Sequence, residues 1–202
     1  MRKIIGSMIL LGVAVIFMGI WAIPIYNSLT IDNEAVGYSY AEIQNQLNRQ
    51  ADLIPAMVSV VNGQASHETT ALVGVAEARS SVQAVSKIDP TKIANDPALQ
   101  KQVIDAQANM GKTLASFRTI TEAYPELKSN AQYQTLMVQL EGSINRVVEA
   151  RRRNQLVVQS FNTRVKQFPT VVFSIVGIFP AYPYYQATAE EQRMPTFNME
   201  GK

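Results

Sequence analysis

Residues 96–125 read DPALQKQVIDAQANMGKTLASFRTITEAYP, and the class of the fold follows from them. Asp96 is an N-cap residue, able to accept hydrogen bonds from the free amides of a first helical turn, and Pro97 at the first helical position has no amide to leave unpaired. Leu99, Val103, Ala106, Met110, Leu114, Phe117, Ile120 and Tyr124 follow at spacings of three and four, which puts them on one face of an α-helix. Pro125 stops that helix.

Working outward, a stripe of the same period precedes it: Val36, Tyr40, Ile43, Leu47, Ala51, Ile54, Val58, Val61 and Ala65, then Leu72, Val75 and Val82. Pro55 removes a backbone donor from this first helix, and Gly63 weakens it again. Because the stripe keeps its phase across both, the sequence predicts a hinge near Ala51 to Pro55 rather than a break. Lys87 to Asn95, which contains Asp89-Pro90, reads as a turn. On the other side of residues 96–125, a third helix is predicted from about Glu126 to Gln167, with Tyr133, Met137, Leu140, Ile144, Val147, Val148, Phe161 and Val165 inward and Pro169 as its stop.

From Ile4 to Ile23 no residue is charged, and at ~1.5 Å per residue this stretch matches the ~30 Å hydrocarbon core of a bilayer. Trp21 and Tyr26 sit where amphipathic rings favour the headgroup level, and Arg2 and Lys3 anchor the other end. A cleaved signal peptide is the rival reading, but the run is long for one and no clear small-residue cleavage site follows it. The first charges after the span are Asp32 and Glu34, so the positive-inside rule puts the N-terminus in the cytoplasm and the rest outside. Gly6, Ser7, Gly12, Ala14 and Gly19 form no pair of small residues four apart, so the span carries no close-packing motif of its own.

No strand alternation or hairpin dipeptide competes with these helices. The predicted class is all-α, with an N-terminal transmembrane helix followed by a long-helix antiparallel bundle of three to four helices. The boundaries are an anchor over 1–25, a bundle over 26–169, and an apolar, aromatic C-terminal segment and tail over 170–202. The predicted lengths do not match: roughly 80 Å for the first helix if unbroken, about 40 Å for the second and about 65 Å for the third. Either Pro55 folds the first helix back into a four-helix bundle, or neighbouring copies cover the stripe Val36, Tyr40, Ile43 and Leu47. The run from Val171 to Phe179 is too short to span a bilayer. It packs on the bundle, inserts at a membrane interface or joins two protomers. Val36, Tyr40, Ile43, Leu47, Phe173, Phe179 and Tyr182 are accordingly the candidate self-association residues.

The net charge of +2 comes from Arg2 and Lys3, since the other basic residues equal the 16 acidic ones. A neutral soluble part argues against nucleic-acid binding. With Cys 0, disulfides, thiolate catalysis and Cys-based zinc sites are out of reach. His67 stands beside Glu68 with no His four residues away, and adjacent side chains diverge on a helix, so it reads as a polar-network or surface histidine rather than a ligand. Arg151, Arg152 and Arg153, close to Glu149 and Glu141, read as a paired, solvated face more readily than as an anion site. Asn145, Asn154 and Asn162 recur along the third helix, where interior Asn sets register. No phosphate loop, nucleophile elbow, paired-carboxylate motif or zinc signature is present, which argues against catalysis.

Several strings in order resemble the LemA family: Tyr26-Asn27; Gln46 to Pro55; Gly63 with His67-Glu68; Ala76 to Arg79; Tyr124 to Lys128; Leu140-Glu141-Gly142 with Asn145-Arg146 and Ala150-Arg151-Arg152; and Phe161-Asn162 with Phe168-Pro169. The resemblance implies a bacterial membrane protein with one N-terminal span and a long-helix bundle; it does not imply an enzyme. Asn48 and Gln50 depart from the basic residues of that pattern, Gln64 from its Tyr and Ile144 from its Glu, which strips charge from the first and third helices. The expected function is a non-enzymatic, membrane-anchored scaffold that self-associates through its long helices. The alternative is a membrane-anchored sensor or partner-binding domain with a hinge at Pro55. The expected partners are membrane lipid through residues 4–23, further copies of the chain and an unidentified protein; no cofactor, metal or nucleic acid is expected. The expected location is the bacterial inner (cytoplasmic) membrane, crossed once, with the domain outside.

Overall fold

The computed structural model describes residues 2–64 and 69–184. Within them the chain is all-α, with no strand. Helix α1 runs without interruption over Arg2–Gln64. Helix α2 spans Thr69–Ser86, α3 Pro90–Asn95, α4 Pro97–Ala123, α5 Pro125–Ser129, α6 Ala131–Lys166 and α7 Val171–Ile175.

The apolar N-terminal stretch and the first bundle helix are therefore one helix. Pro24 and Pro55 both lie inside it. The hinge expected at Pro55 is not a break in the chain's course, because Asp52, Pro55 and Ala56 are exposed while Ala51, Ile54 and Met57 are buried. The proline ring sits on the solvent side, and apolar burial before and after it holds the helix in phase. Full burial of one such Leu, Ile or Met side chain stabilises by roughly 1.5–3 kcal/mol, enough for a few of them to offset the ~3 kcal/mol that a helical proline costs. The chain turns back further on: α1 ends one residue after Gly63, and α2 begins at Thr69. His67 and Glu68 lie outside the described residues.

The return is antiparallel. The buried Gln44 side chain of α1 donates from Nε2 to the carbonyls of Val85, in the last turn of α2, and Ile88, just past it, both at 2.8 Å. The segment read as a turn contains α3, which starts by the same device as α4. Asp89 accepts from the Thr91 amide at 2.9 Å ahead of Pro90, and Asp96 accepts from the Ala98 amide at 2.8 Å ahead of Pro97. Pro125 ends α4 and opens the short α5, and Asn130 caps α6 by accepting from the Tyr133 amide at 3.0 Å. The third predicted helix is thus two, α5 and α6.

Helices α1, α2, α4 and α6 form an up-down-up-down bundle, and the predicted mismatch of lengths disappears. Helix α6, about 54 Å long by its rise, runs back along α1 to the level of Asp32, where Arg164 pairs with it. Helix α6, together with α3 at Gly37 and Thr91, covers the stripe that the sequence left uncovered. Val36 and Leu47 are 0% exposed and Tyr40 and Ile43 3% within the single chain. The ground for assigning these four to self-association, an uncovered face, does not hold, because the protomer's own core uses them. Val148, expected inward on α6, is exposed, while Val147 beside it is buried.

Candidate interaction surfaces

Three places stand out: the buried polar seam between α1 and α6, the distal tip of the bundle, and the end from which the apolar stretch of α1 leaves the bundle.

The seam carries the interior polar residues. Asn154 of α6 donates from Nδ2 to Ser39 Oγ at 2.8 Å, and Ser39 in turn donates to the Val36 carbonyl at 2.7 Å. Asn154 also partners Tyr40, whose hydroxyl is pushed up to about 12 mainly by burial. About two turns closer to the apolar stretch, Asn162 exchanges two hydrogen bonds with the backbone of Tyr182, both at 2.8 Å. The Tyr182 hydroxyl donates to Asn33 Oδ1 at 2.6 Å. Arg164 closes the series on Asp32 and donates to Ser28 Oγ at 2.6 Å. Buried amides of this kind allow one register only, since a slip would leave each unpaired at a cost of about 1–3 kcal/mol. Asn154 and Asn162 thus hold register, as their spacing suggested, while Asn145 is exposed. Gln50, 1% exposed, departs from that economy, for its Oε1 has no hydrogen-bond partner.

At the distal tip, α4, α5 and α6 enclose an open groove of about 530 Å³. Its lining mixes apolar Met137 and Val138 with Arg118, Glu122 and Lys128. Val138 is 70% exposed. The wall is stiff: the Tyr133 hydroxyl donates to the Phe117 carbonyl at 2.9 Å and lies 2.6 Å from Thr121 Oγ1. Arg118 is held to Glu141 across α4 and α6 at 2.7 Å. No motif in the sequence marked this groove, because its residues come from three elements that only the turns at Tyr124 and Asn130 bring together.

The arginine run forms a paired face. Arg152 and Arg153 bind Glu149 at 2.8 and 2.9 Å, and the pair of guanidiniums holds the Glu149 carboxyl down at about 2. Arg151 donates to Gln107 of α4 at 2.9 Å. Among the described residues, no group of three or more His, Cys, Asp and Glu is placed to hold a metal ion.

At the other end, the N-terminal part of α1 is long and apolar enough to cross a membrane. Trp21 is 55% exposed. Of Arg2 and Lys3 only the backbone is described, as the start of α1. Tyr26, 44% exposed, packs its ring against Phe173 at 5.4–6.2 Å together with Phe179, the shorter distance being to Phe179. Phe161 and Tyr182 pack with their rings tilted, 5.1 Å between centroids, just above. Phe179 and Tyr182 are buried and Phe173 packs on the core, so these three aromatic candidates for self-association also face their own bundle. The tail beyond Tyr184 lies outside the described residues.

A family model described as the LemA family matches residues 39–198. No curated protein matches the chain.

Proposed function

The chain belongs to the LemA family, and from that premise we propose that it is a non-enzymatic, membrane-anchored interaction protein whose bundle holds the distal groove at a set height above the bilayer. The observation that carries this reading is the unbroken course of α1 from Arg2 to Gln64. A spanning helix that continues as a core helix of the bundle leaves no flexible linker between anchor and domain. From Ile23 to Gln64 the rise is about 60 Å, and the groove of Met137, Val138, Arg118 and Lys128 lies at that far end. An apolar floor with charged rims of both signs suits a protein partner better than a lipid or a nucleic acid. The cytoplasmic N-terminus and external bundle follow from Arg2 and Lys3 ahead of the span and Asp32 and Glu34 after it, in the inner membrane of a bacterium.

The anchor is tested by carbonate extraction: the full chain stays in the membrane pellet, and a chain lacking residues 1–25 does not. Its orientation is read from a Thr135→Cys variant, which an impermeant maleimide labels in spheroplasts before lysis. Labelling only after lysis would reverse the topology. For the groove, a photo-crosslinking residue at Val138 gives a discrete adduct in cells that Lys128→Glu with Met137→Glu abolishes. An adduct indifferent to those changes sinks the groove as the binding surface.

A second reading, lateral self-association, is favoured by Ile31 and Tyr38. They lie seven residues apart on one face of α1, just beyond the apolar stretch, and are 70% and 74% exposed. On this reading detergent-solubilised protein scatters light as a dimer or larger and Tyr38→Glu reduces it to a monomer. A wild-type monomer at micromolar concentration removes it.

A further inference from the structure

The segment that follows α6 divides into two faces. Phe173, Phe179 and Tyr182 turn toward the bundle, whereas Phe168 is 82% exposed, Ile175 79%, Val176 63%, Val172 53% and Ile178 50%. From Gln167 to Tyr184 there is no charged residue, and the exposed Lys166 stands immediately before. The shape is fixed by the chain itself. The Ile178 and Phe179 amides both fold back onto the Phe173 carbonyl, at 3.0 and 3.3 Å. Gly177 supplies the φ of 76° that this reversal needs and that a residue with a Cβ adopts at a cost. The knuckle therefore holds its apolar side chains out, against the tendency of an isolated apolar segment to collapse onto its own domain.

Its place in the molecule says what covers them. The register of Arg164 with Asp32 and Ser28 carries the descending α6 to the level of Tyr26 within a turn or so, and Phe173 and Phe179 lie against Tyr26 itself. Tyr26 is only three residues beyond Ile23, about 5 Å along the helix, so the knuckle caps the end of the bundle from which the apolar stretch leaves. Trp21 and Ile23, within about a turn and a half of Tyr26 along α1, are exposed as well. Apolar side chains, a flanking lysine and aromatic rings at this depth are the composition of an interfacial segment.

Resting on the reading of α1 as a membrane anchor, we propose that residues 167–179 form a second membrane contact, a foot whose Phe168, Val172, Ile175, Val176 and Ile178 enter the headgroup–acyl boundary of the leaflet from which α1 emerges. The occupant of the exposed face is lipid. A second copy rising from the same bilayer would meet the side of the bundle, where Ile31 and Tyr38 are, and not its membrane-proximal end. A single helix leaves a bundle free to spin and tilt; a second contact off the helix axis removes that freedom and gives the distal groove a defined direction as well as a height.

The chain has Cys 0, so single-cysteine variants can be labelled with an environment-sensitive fluorophore at will. Full-length Ile175→Cys and Val176→Cys are reconstituted in phosphatidylethanolamine–phosphatidylglycerol vesicles, beside Phe17→Cys in the span and Val138→Cys at the tip. The expected result is blue-shifted emission at 175 and 176, with quenching by brominated lipid at least about twofold stronger than at 138 and weak quenching by iodide, as befits groups buried a few Å into the interface. Quenching of 175 and 176 by iodide as strong as at 138, with 17 still quenched by lipid, overturns the foot and leaves the anchor standing. Protection from both quenchers, or a disulfide-linked dimer of unlabelled Ile175→Cys, overturns it in favour of a protein cover. Loss of lipid quenching at 17 as well overturns the anchor on which the foot depends.

Discussion

Single residues in this bundle matter through the polar groups they bury. Gln50 is enclosed with an unpartnered Oε1, and an orphaned buried acceptor costs about 1–3 kcal/mol. Gln50→Met, of similar length, is therefore expected to stabilise the fold by about 1 kcal/mol, read as a rise in the thermal midpoint by circular dichroism. The sequence showed Gln50 as a departure from a basic residue but not that it faces the core, since which sides of α1 are covered depends on the helices that pack against it. Tyr40 makes a prediction with a sign. Its hydroxyl is raised from 10.0 to about 12 by burial, so the folded state disfavours the phenolate and the associated stability is present below pH 10. It is lost as pH climbs from about 10 to about 12, and Tyr40→Phe flattens the fall over that window in thermal melts taken at each pH. Tyr133 and Tyr182, raised mainly by burial as well, keep the slope from vanishing. Glu149 works in the opposite direction: its depressed carboxyl favours the fold above its ordinary value and loses that contribution toward pH 2. Solvent screening of the part-exposed Glu149 keeps that contribution small.

Elements were legible wherever their ends carry local chemistry. Asp96-Pro97 announced α4, whereas the identical Asp89-Pro90 reads as part of a turn and opens α3, because a six-residue helix has too little apolar period to be told from a turn by pattern. Asn130 capping α6 was equally local, but the sequence reads as one helix running through it from Glu126. Pro55 shows the limit of local rules. A proline predicts a lost hydrogen bond and a bend, but whether the chain turns back there depends on what the neighbouring turns bury. Since its ring is exposed and its helix continues to Gln64, Pro55→Ala is expected to raise stability, by up to about 3 kcal/mol, with membrane attachment unchanged. Denaturation midpoints and carbonate extraction check the two halves of that statement, and a fall in stability would restore Pro55 as a needed bend. The residue to remove from α4 is Asp96: Asp96→Ala should cost about 1 kcal/mol.

At the scale of the molecule, the decisive fact is that the apolar stretch and the bundle share one helix. Spin labels at Ile20→Cys and Asn62→Cys in reconstituted protein should give one narrow distance near 63 Å, the rise of about forty-two residues; a broad or short distribution would place a joint at Pro24 or Pro55. The all-α class, the apolar N-terminal stretch, the positions of α4 and the inward faces of α1 and α4 follow from the sequence by itself, because periodicity, caps and hydropathy act over a turn or two of chain. So does membership in the LemA family, which is written in short strings along the chain. What those faces bury against did not follow from it. The stripe of Val36, Tyr40, Ile43 and Leu47 looked unpartnered when helix lengths were compared in isolation, and α6 covers it. The distal groove and the split of residues 167–179 into an inner and an outer face were equally out of reach. Local chemistry decides where helices begin and which side is apolar; only tertiary structure decides which apolar sides meet, because register and partner choice depend on contacts between residues more than a hundred positions apart, as between Ser39 and Asn154.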